Sequence, residues 1–132
     1  MGITLWKDKT KKLIDPNLFS EKAEEIAKEI KAQATPRINK LTQIRKFYDE
    51  VLIIDNQIKS DPSNFEKILP YIKMINAKAA YAQGRDLISS GFKELITQAL
   101  KQIECKDDFD VFKNFFEAFM GFYKYYYEKK SN

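Results

Sequence analysis

Apolar residues along this chain recur at the three- and four-residue intervals of a helix face and nowhere alternate as a strand would. The first run, residues 18–33, sets Glu and Lys around Phe19, Ala23, Ile26, Ala27 and Ile30. Asp15-Pro16 followed by Ser20 has the grammar of a helix start. Thr35-Pro36 ends the run, because the residue before a proline is pushed out of the helical region. A second run, about 42–59, carries Ile44, Phe47, Tyr48, Val51, Leu52 and Ile58, with Thr42 placed to cap it and Ser60-Asp61-Pro62 to stop it. Ser63 and Glu66 match a capping box ahead of a third run, Phe65, Ile68, Leu69, Ile72 and Ile75. That run breaks at Gly84 or at Ser89-Ser90-Gly91; a helix can also pass through a glycine at a cost of ~1 kcal/mol. Ile88, Phe92, Leu95, Ile96, Ala99, Leu100 and Ile103 define a fourth helix ending near Cys105.

The last run, 109–128, opens behind Asp107 or Asp108 as a cap. Phe112, Phe115, Phe119, Phe122 and Tyr126 form one apolar line, and Phe116, Met120, Tyr123 and Tyr127 a second beside it. One neighbouring helix cannot cover so wide an arc, so this helix is either central to the fold or shared with another chain. With no repeats and no strands, the pattern predicts an all-α fold, a compact bundle of about five helices in one domain over residues 18–132. Residues 1–17 are a Lys-rich N-terminal segment with Trp6, Leu13 and Ile14, either an arm or a strap on the bundle.

Composition narrows the function classes. A chain of 132 residues with 44% hydrophobic and 32% charged residues is globular rather than disordered. The single Cys105 excludes an intramolecular disulfide and suits a reducing compartment. No signal-peptide-like run follows Met1, and the most apolar window, 109–127, is cut by Asp110, Lys113, Glu117 and Lys124. These features predict a cytoplasmic protein without a membrane partner. Histidine is absent, and no glycine-rich phosphate loop is present. Asp107, Asp108 and Asp110 lack the glycine turn and downstream Glu of a Ca²⁺ loop and read better as helix-capping carboxylates. The expectation is a protein with no catalytic residues, no metal and no cofactor.

Charge distribution supplies the positive signal. From Ala32 to Tyr48 there are no acids, against Arg37, Lys40, Arg45 and Lys46; from Lys67 to Arg85 there are none, against Lys67, Lys73, Lys78 and Arg85. The rest of the chain is net acidic, so the basic charge is gathered as on a polyanion-binding surface. Arg45 and Lys46 stand at a helix N-terminus, where the partial positive charge disfavours cations but favours a visiting phosphate. Pairing of Arg45 with Asp49 and Lys46 with Glu50 at i,i+4 is the competing account. Tyr71, Met74, Lys78, Tyr81 and Arg85 interleave aromatic and basic side chains along one line, either a nucleic-acid stacking platform or a core edge flanked by snorkelling cations.

Three stretches, Leu41-Thr42-Gln43-Ile44-Arg45-Lys46-Phe47-Tyr48, Lys78-Ala79-Ala80-Tyr81-Ala82-Gln83-Gly84-Arg85 and the Phe112–Tyr127 aromatic helix, resemble the small subunit of the type III-A CRISPR effector, the Csm complex. The resemblance covers about 35–128. It implies a small, helical, non-catalytic subunit of an antiviral ribonucleoprotein filament, contacting CRISPR RNA and target RNA through their backbones and other Csm subunits through protein surfaces. Arg45 and Arg85 match the family's basic positions best, and Lys40, Lys46 and Lys78 follow. Arg37 is added from charge alone. Homo-oligomerisation through the aromatic C-terminal helix is expected. The alternative is a helical protein–protein scaffold without direct RNA contact.

Overall fold

The computed structural model describes residues 2–129. Met1 and residues 130–132, at the outer ends of the two expected segments, lie outside the described residues. The C-terminal helix, α6 (Lys106–Glu128), carries the aromatic centre of the core. Its rings at Phe109, Phe112, Phe115, Phe116, Phe119 and Tyr123 are all buried. Most of the wide aromatic arc is therefore covered by its own chain, with Phe122, Tyr126 and Tyr127 half-buried at its edge.

The covering elements are α1 (Glu21–Ala32), α2 (Leu41–Ser60) and α5 (Ser90–Lys101). The face of α1 built from Ala23, Ile26, Ala27 and Ile30 is fully buried and makes the most extensive contact with α6. Phe92 of α5 packs edge-on to Phe116 and stacks near Phe119, at centroid separations of 6.4 and 6.1 Å. Such aromatic pairs add ~0.5–1.5 kcal/mol each beyond area burial. Between α2 and α5 lie a single 3-10 turn (Pro62–Asn64), α3 (Phe65–Lys73) and α4 (Ile75–Gly84). Met74 between α3 and α4 stays in the right-handed helical region (φ −65°, ψ −18°), so the two continue one path and the bundle counts as five helices. Among the described residues there is no strand, only an isolated antiparallel bridge between Asp8 and Leu13.

Helix ends differ from the sequence grammar in four places. Thr42 lies inside α2, and Lys40 takes the cap position with no side-chain cap bond. The Ser63/Glu66 box does not form; Asp61 instead accepts from the Ser63 N–H and hydroxyl, because Pro62 opens the 3-10 turn one residue ahead of Ser63. The break after α4 uses both candidates, with Gly84 ending one helix and the Ser89 hydroxyl accepting the Phe92 N–H to start the next. α6 begins earlier than expected, since Asp108 reaches back from the third helical position to the N–H groups of Glu104 and Cys105.

Asp108 also receives the Trp6 indole N–H at 2.7 Å. With Ile3 and Leu5 buried, and Gln102 exchanging hydrogen bonds with the backbone of both, the N-terminal residues lie packed across the turn between α5 and α6. Burial alone pushes the Asp108 carboxyl up. The donors from Glu104, Trp6 and Cys105, with Lys9 nearby, outweigh it and hold the group below the usual carboxylate range. No helix of the described residues is long and apolar enough to cross a membrane.

Candidate nucleic-acid interface

The basic residues of the first window meet those of the second because of Asn39. This residue is fully buried and left-handed (φ 60°), a conformation asparagine tolerates better than other side chains bearing a Cβ. Its amide donates to the Ile30 carbonyl at 3.2 Å and to the Ser89 hydroxyl at 2.9 Å, and its Oδ1 accepts the Ser89 N–H at 2.9 Å. Its own N–H donates to the Leu87 carbonyl, and its carbonyl accepts the Tyr123 hydroxyl at 2.6 Å. One residue thereby fastens the α1–α2 loop to the α4–α5 loop and both to α6. Nothing in the sequence pattern singled it out; its partners Ser89 and Tyr123 lie 50 and 84 residues away.

Four residues before Asn39, the Thr35 hydroxyl accepts the N–H groups of Arg37 and Ile38 and turns the loop. Arg37 then donates from its guanidinium to the Arg85 carbonyl at 2.9 Å. Arg85 lies over the Tyr81 ring, 5.7 Å from its centroid, and donates to the Tyr81 hydroxyl at 3.0 Å. Both guanidinium groups are exposed on the same end of the bundle. Next to them α2 starts at exposed Lys40, without a side-chain cap and with no acid in its first turn. An unneutralised helix N-terminus of this kind favours an anion.

Arg45 and Lys46 are also exposed, and neither pairs with a carboxylate within 4 Å among the described residues, so the i,i+4 pairs with Asp49 and Glu50 do not form. Glu50 is taken instead by Lys78, at 2.6 Å across the space between α2 and α4. The two adjacent residues point apart, because consecutive helical side chains are separated by about 100°. Lys46 lines a groove of about 350 Å³ between α2 and α4, with Phe47, Glu50, Lys78, Tyr81 and Leu87. Arg45 is not among its lining residues and lies one turn before Tyr48, which meets Phe116 of α6. The structure therefore brings Arg37 and Arg85 together, joins Lys46 and Lys78 in one groove, sets Lys40 at the head of α2, and leaves Arg45 on a separate flank.

The line Tyr71, Met74 and Tyr81 is not a core edge. These residues are 60%, 44% and 65% exposed, and Ile53 of α2 beside them is 54% exposed. No group of His, Cys, Asp or Glu side chains among the described residues is arranged to hold a metal ion. Asp55, the other buried acid that touches a basic side chain, belongs to the core: it bridges Lys59 at 2.9 Å and Lys113 of α6 at 3.4 Å. Burial raises its pKa, but the two ammonium groups bring it below the ordinary value.

A family model described as Csm2 Type III-A matches residues 14–129, nearly the whole chain. No curated protein and no solved structure matches.

Proposed function

The chain belongs to the Csm2 Type III-A family, the small subunit of the Csm complex, and from that premise we propose that it clamps RNA backbone inside the effector. Family membership makes it a structural subunit working with other Csm subunits and the CRISPR RNA. The finer reading is that Arg37, Arg85 and Lys40 grip phosphates at one end of the bundle, with Lys46 and Lys78 along the α2–α4 groove and Arg45 on the adjoining flank. The observation that carries it is the Asn39 knot, which sets two guanidinium groups beside an uncapped, acid-free helix start. Guanidinium and ammonium groups aimed at phosphates position RNA without reading its sequence. Sequence information then rests with pairing between guide and target, in cytoplasmic antiviral defence.

The test is a salt titration of target-RNA binding by assembled complexes with and without this subunit. Each neutralised phosphate on single-stranded RNA contributes about −0.7 to the slope of log affinity against log salt. Because Lys78 already holds Glu50, about three to five contacts are expected, a subunit-dependent slope of about −2 to −3.5. A difference in slope near zero rejects the clamp and leaves a scaffold that touches only protein. The exposed Ile53, Tyr71 and Met74 beside the α2–α3 groove favour protein contacts in addition to RNA, not in place of it. Self-association through the C-terminal helix is proposed at exposed Tyr125 and the half-buried Phe122 and Tyr126 beside it, since most of its other rings are used internally. Light scattering that finds only monomer at high concentration rejects that contact.

A further inference from the structure

We propose that the α2–α4 groove is a receptor for one unpaired nucleobase of the bound RNA. The inference rests on the RNA-clamp reading and goes further, because a pure backbone clamp has no use for an apolar slot. The groove is an open slot of about 350 Å³, at the small end of the range for organic-ligand pockets (~300–1,000 Å³). Its floor is fixed: Phe47, Ile75 and Ala82 are core residues with 6% exposure or less and cannot swing away. One wall is the Tyr81 ring, which stands 65% exposed. Exposed aromatic faces beside cations are what unstacked bases dock against, whatever the base, because every base has a π-face.

The surrounding charge decides the occupant. Lys46 and Lys78 line the groove, and Arg85, outside its lining, lies over the Tyr81 ring that forms one wall. The groove's one acid, Glu50, is already neutralised by Lys78, and that bridge ties α2 to α4 across the slot. A base inserted between the helices would place its flanking phosphates near Lys46 on one side and Arg85 on the other. A protein side chain would satisfy the apolar floor but leave these cations unanswered. A base inside an A-form duplex presents no free face, so the groove selects a nucleotide that has left the stack.

Nuclear magnetic resonance of the full chain with adenosine monophosphate, uridine monophosphate and ribose 5-phosphate tests this directly. Both nucleotides should shift the amides of Phe47, Tyr81, Ala82 and Leu87; ribose 5-phosphate, which has no base, should leave the groove unmoved. In assembled complexes Tyr81→Ala should weaken RNA binding about tenfold, within the range for one lost stacking contact, without altering the salt slope. Tyr81→Phe, which keeps the ring but removes the hydroxyl that Arg85 contacts, should bind as the parent does. If the nucleotides leave the groove amides unmoved, or if Tyr81→Phe loses as much as Tyr81→Ala, the base receptor is overturned. Neither result touches the clamp, which stands or falls on the salt slope.

Discussion

Asn39 is the residue whose replacement separates the contributions that build the interface. Asn39→Ala removes three side-chain hydrogen bonds and strands the Ser89 N–H near the core, while the Ile30 carbonyl keeps the Gln33 N–H. Leaving such a group unpaired costs roughly 1–3 kcal/mol. Alanine must also hold φ 60°, which adds ~1–2 kcal/mol for a residue with a Cβ and no compensating polar group. The expected loss is therefore about 2–5 kcal/mol. Asn39→Gly loses the same hydrogen bonds without the backbone strain, so it should be more stable than the alanine variant by about 1–2 kcal/mol. Urea unfolding of the two variants reads this ordering. Below its transition the glycine variant is folded but holds the two loops only through its backbone bonds to Leu87 and Tyr123, so Arg37 and Arg85 are less firmly placed and in assembled complexes the salt slope should shrink by up to about 1.4, two phosphates' worth. Equal stability of the two variants would refute the backbone part of the reasoning. A destabilised glycine variant with an undiminished slope would show that the knot holds the fold and not the interface.

Arg85→Ala should leave thermal unfolding within ~0.5 kcal/mol of the parent while lowering the magnitude of the salt slope by about 0.7, measured by calorimetry and by RNA retention on the complex. Asp108→Ala should destabilise by about 2–4 kcal/mol in denaturant titration, because it strands the Trp6 indole and the Glu104 and Cys105 N–H groups together. Asp108 and Asp55 both have folded-state pKa values below the unfolded carboxylate value near ~3.9, so their stabilisation is fully present above that value. It should be lost as pH falls below about 4 toward the folded values; an acid unfolding curve insensitive to Asp108→Asn would contradict this. Gly91→Ala places a Cβ 2.3 Å from the Gln33 amide oxygen, yet that oxygen is the end of a flexible side chain and has no hydrogen-bond partner where it lies. Swinging Gln33 into water and removing a helical glycine should make the variant neutral to more stable by about 0.5–1 kcal/mol, and a marked fall in melting temperature would refute it.

The helical runs were legible because each buries one face at the 3.6-residue period, from Ala23–Ile30 on α1 to the rings of α6. Their ends were less so, because local grammar is decided by competition. Asp61 outbids Ser63 as a cap once Pro62 fixes the turn, and Asp108 acts from inside its helix rather than ahead of it. The six basic positions were visible as acid-free windows, but their grouping was not. Whether Lys46 sits with Arg45 or with Lys78 depends on how α2 is rotated against α4, which no short-range pattern records. Tyr81 carried a signal, an aromatic between Lys78 and Arg85 on one line, yet its exposure depends on the same rotation. Asn39 gave none beyond being a polar residue in a loop that turned out to be buried.

The N-terminal segment across the α5–α6 turn has a consequence for the order in which the molecule is made. Leu5 bonds to Gln102 and Trp6 to Asp108, partners 97 and 102 residues further along. During synthesis, at ~5–20 residues per second, the segment leaves the ribosome many seconds before its docking surface has been translated. Neither Ile3 nor Leu5 has a place to bury until that turn has emerged and closed. Docking of the first few residues is thus a closing event of the fold, a non-local contact that must wait while local helices form around it. Until that moment Ile3, Leu5 and Trp6 stay exposed on the growing chain, open to capture by a chaperone.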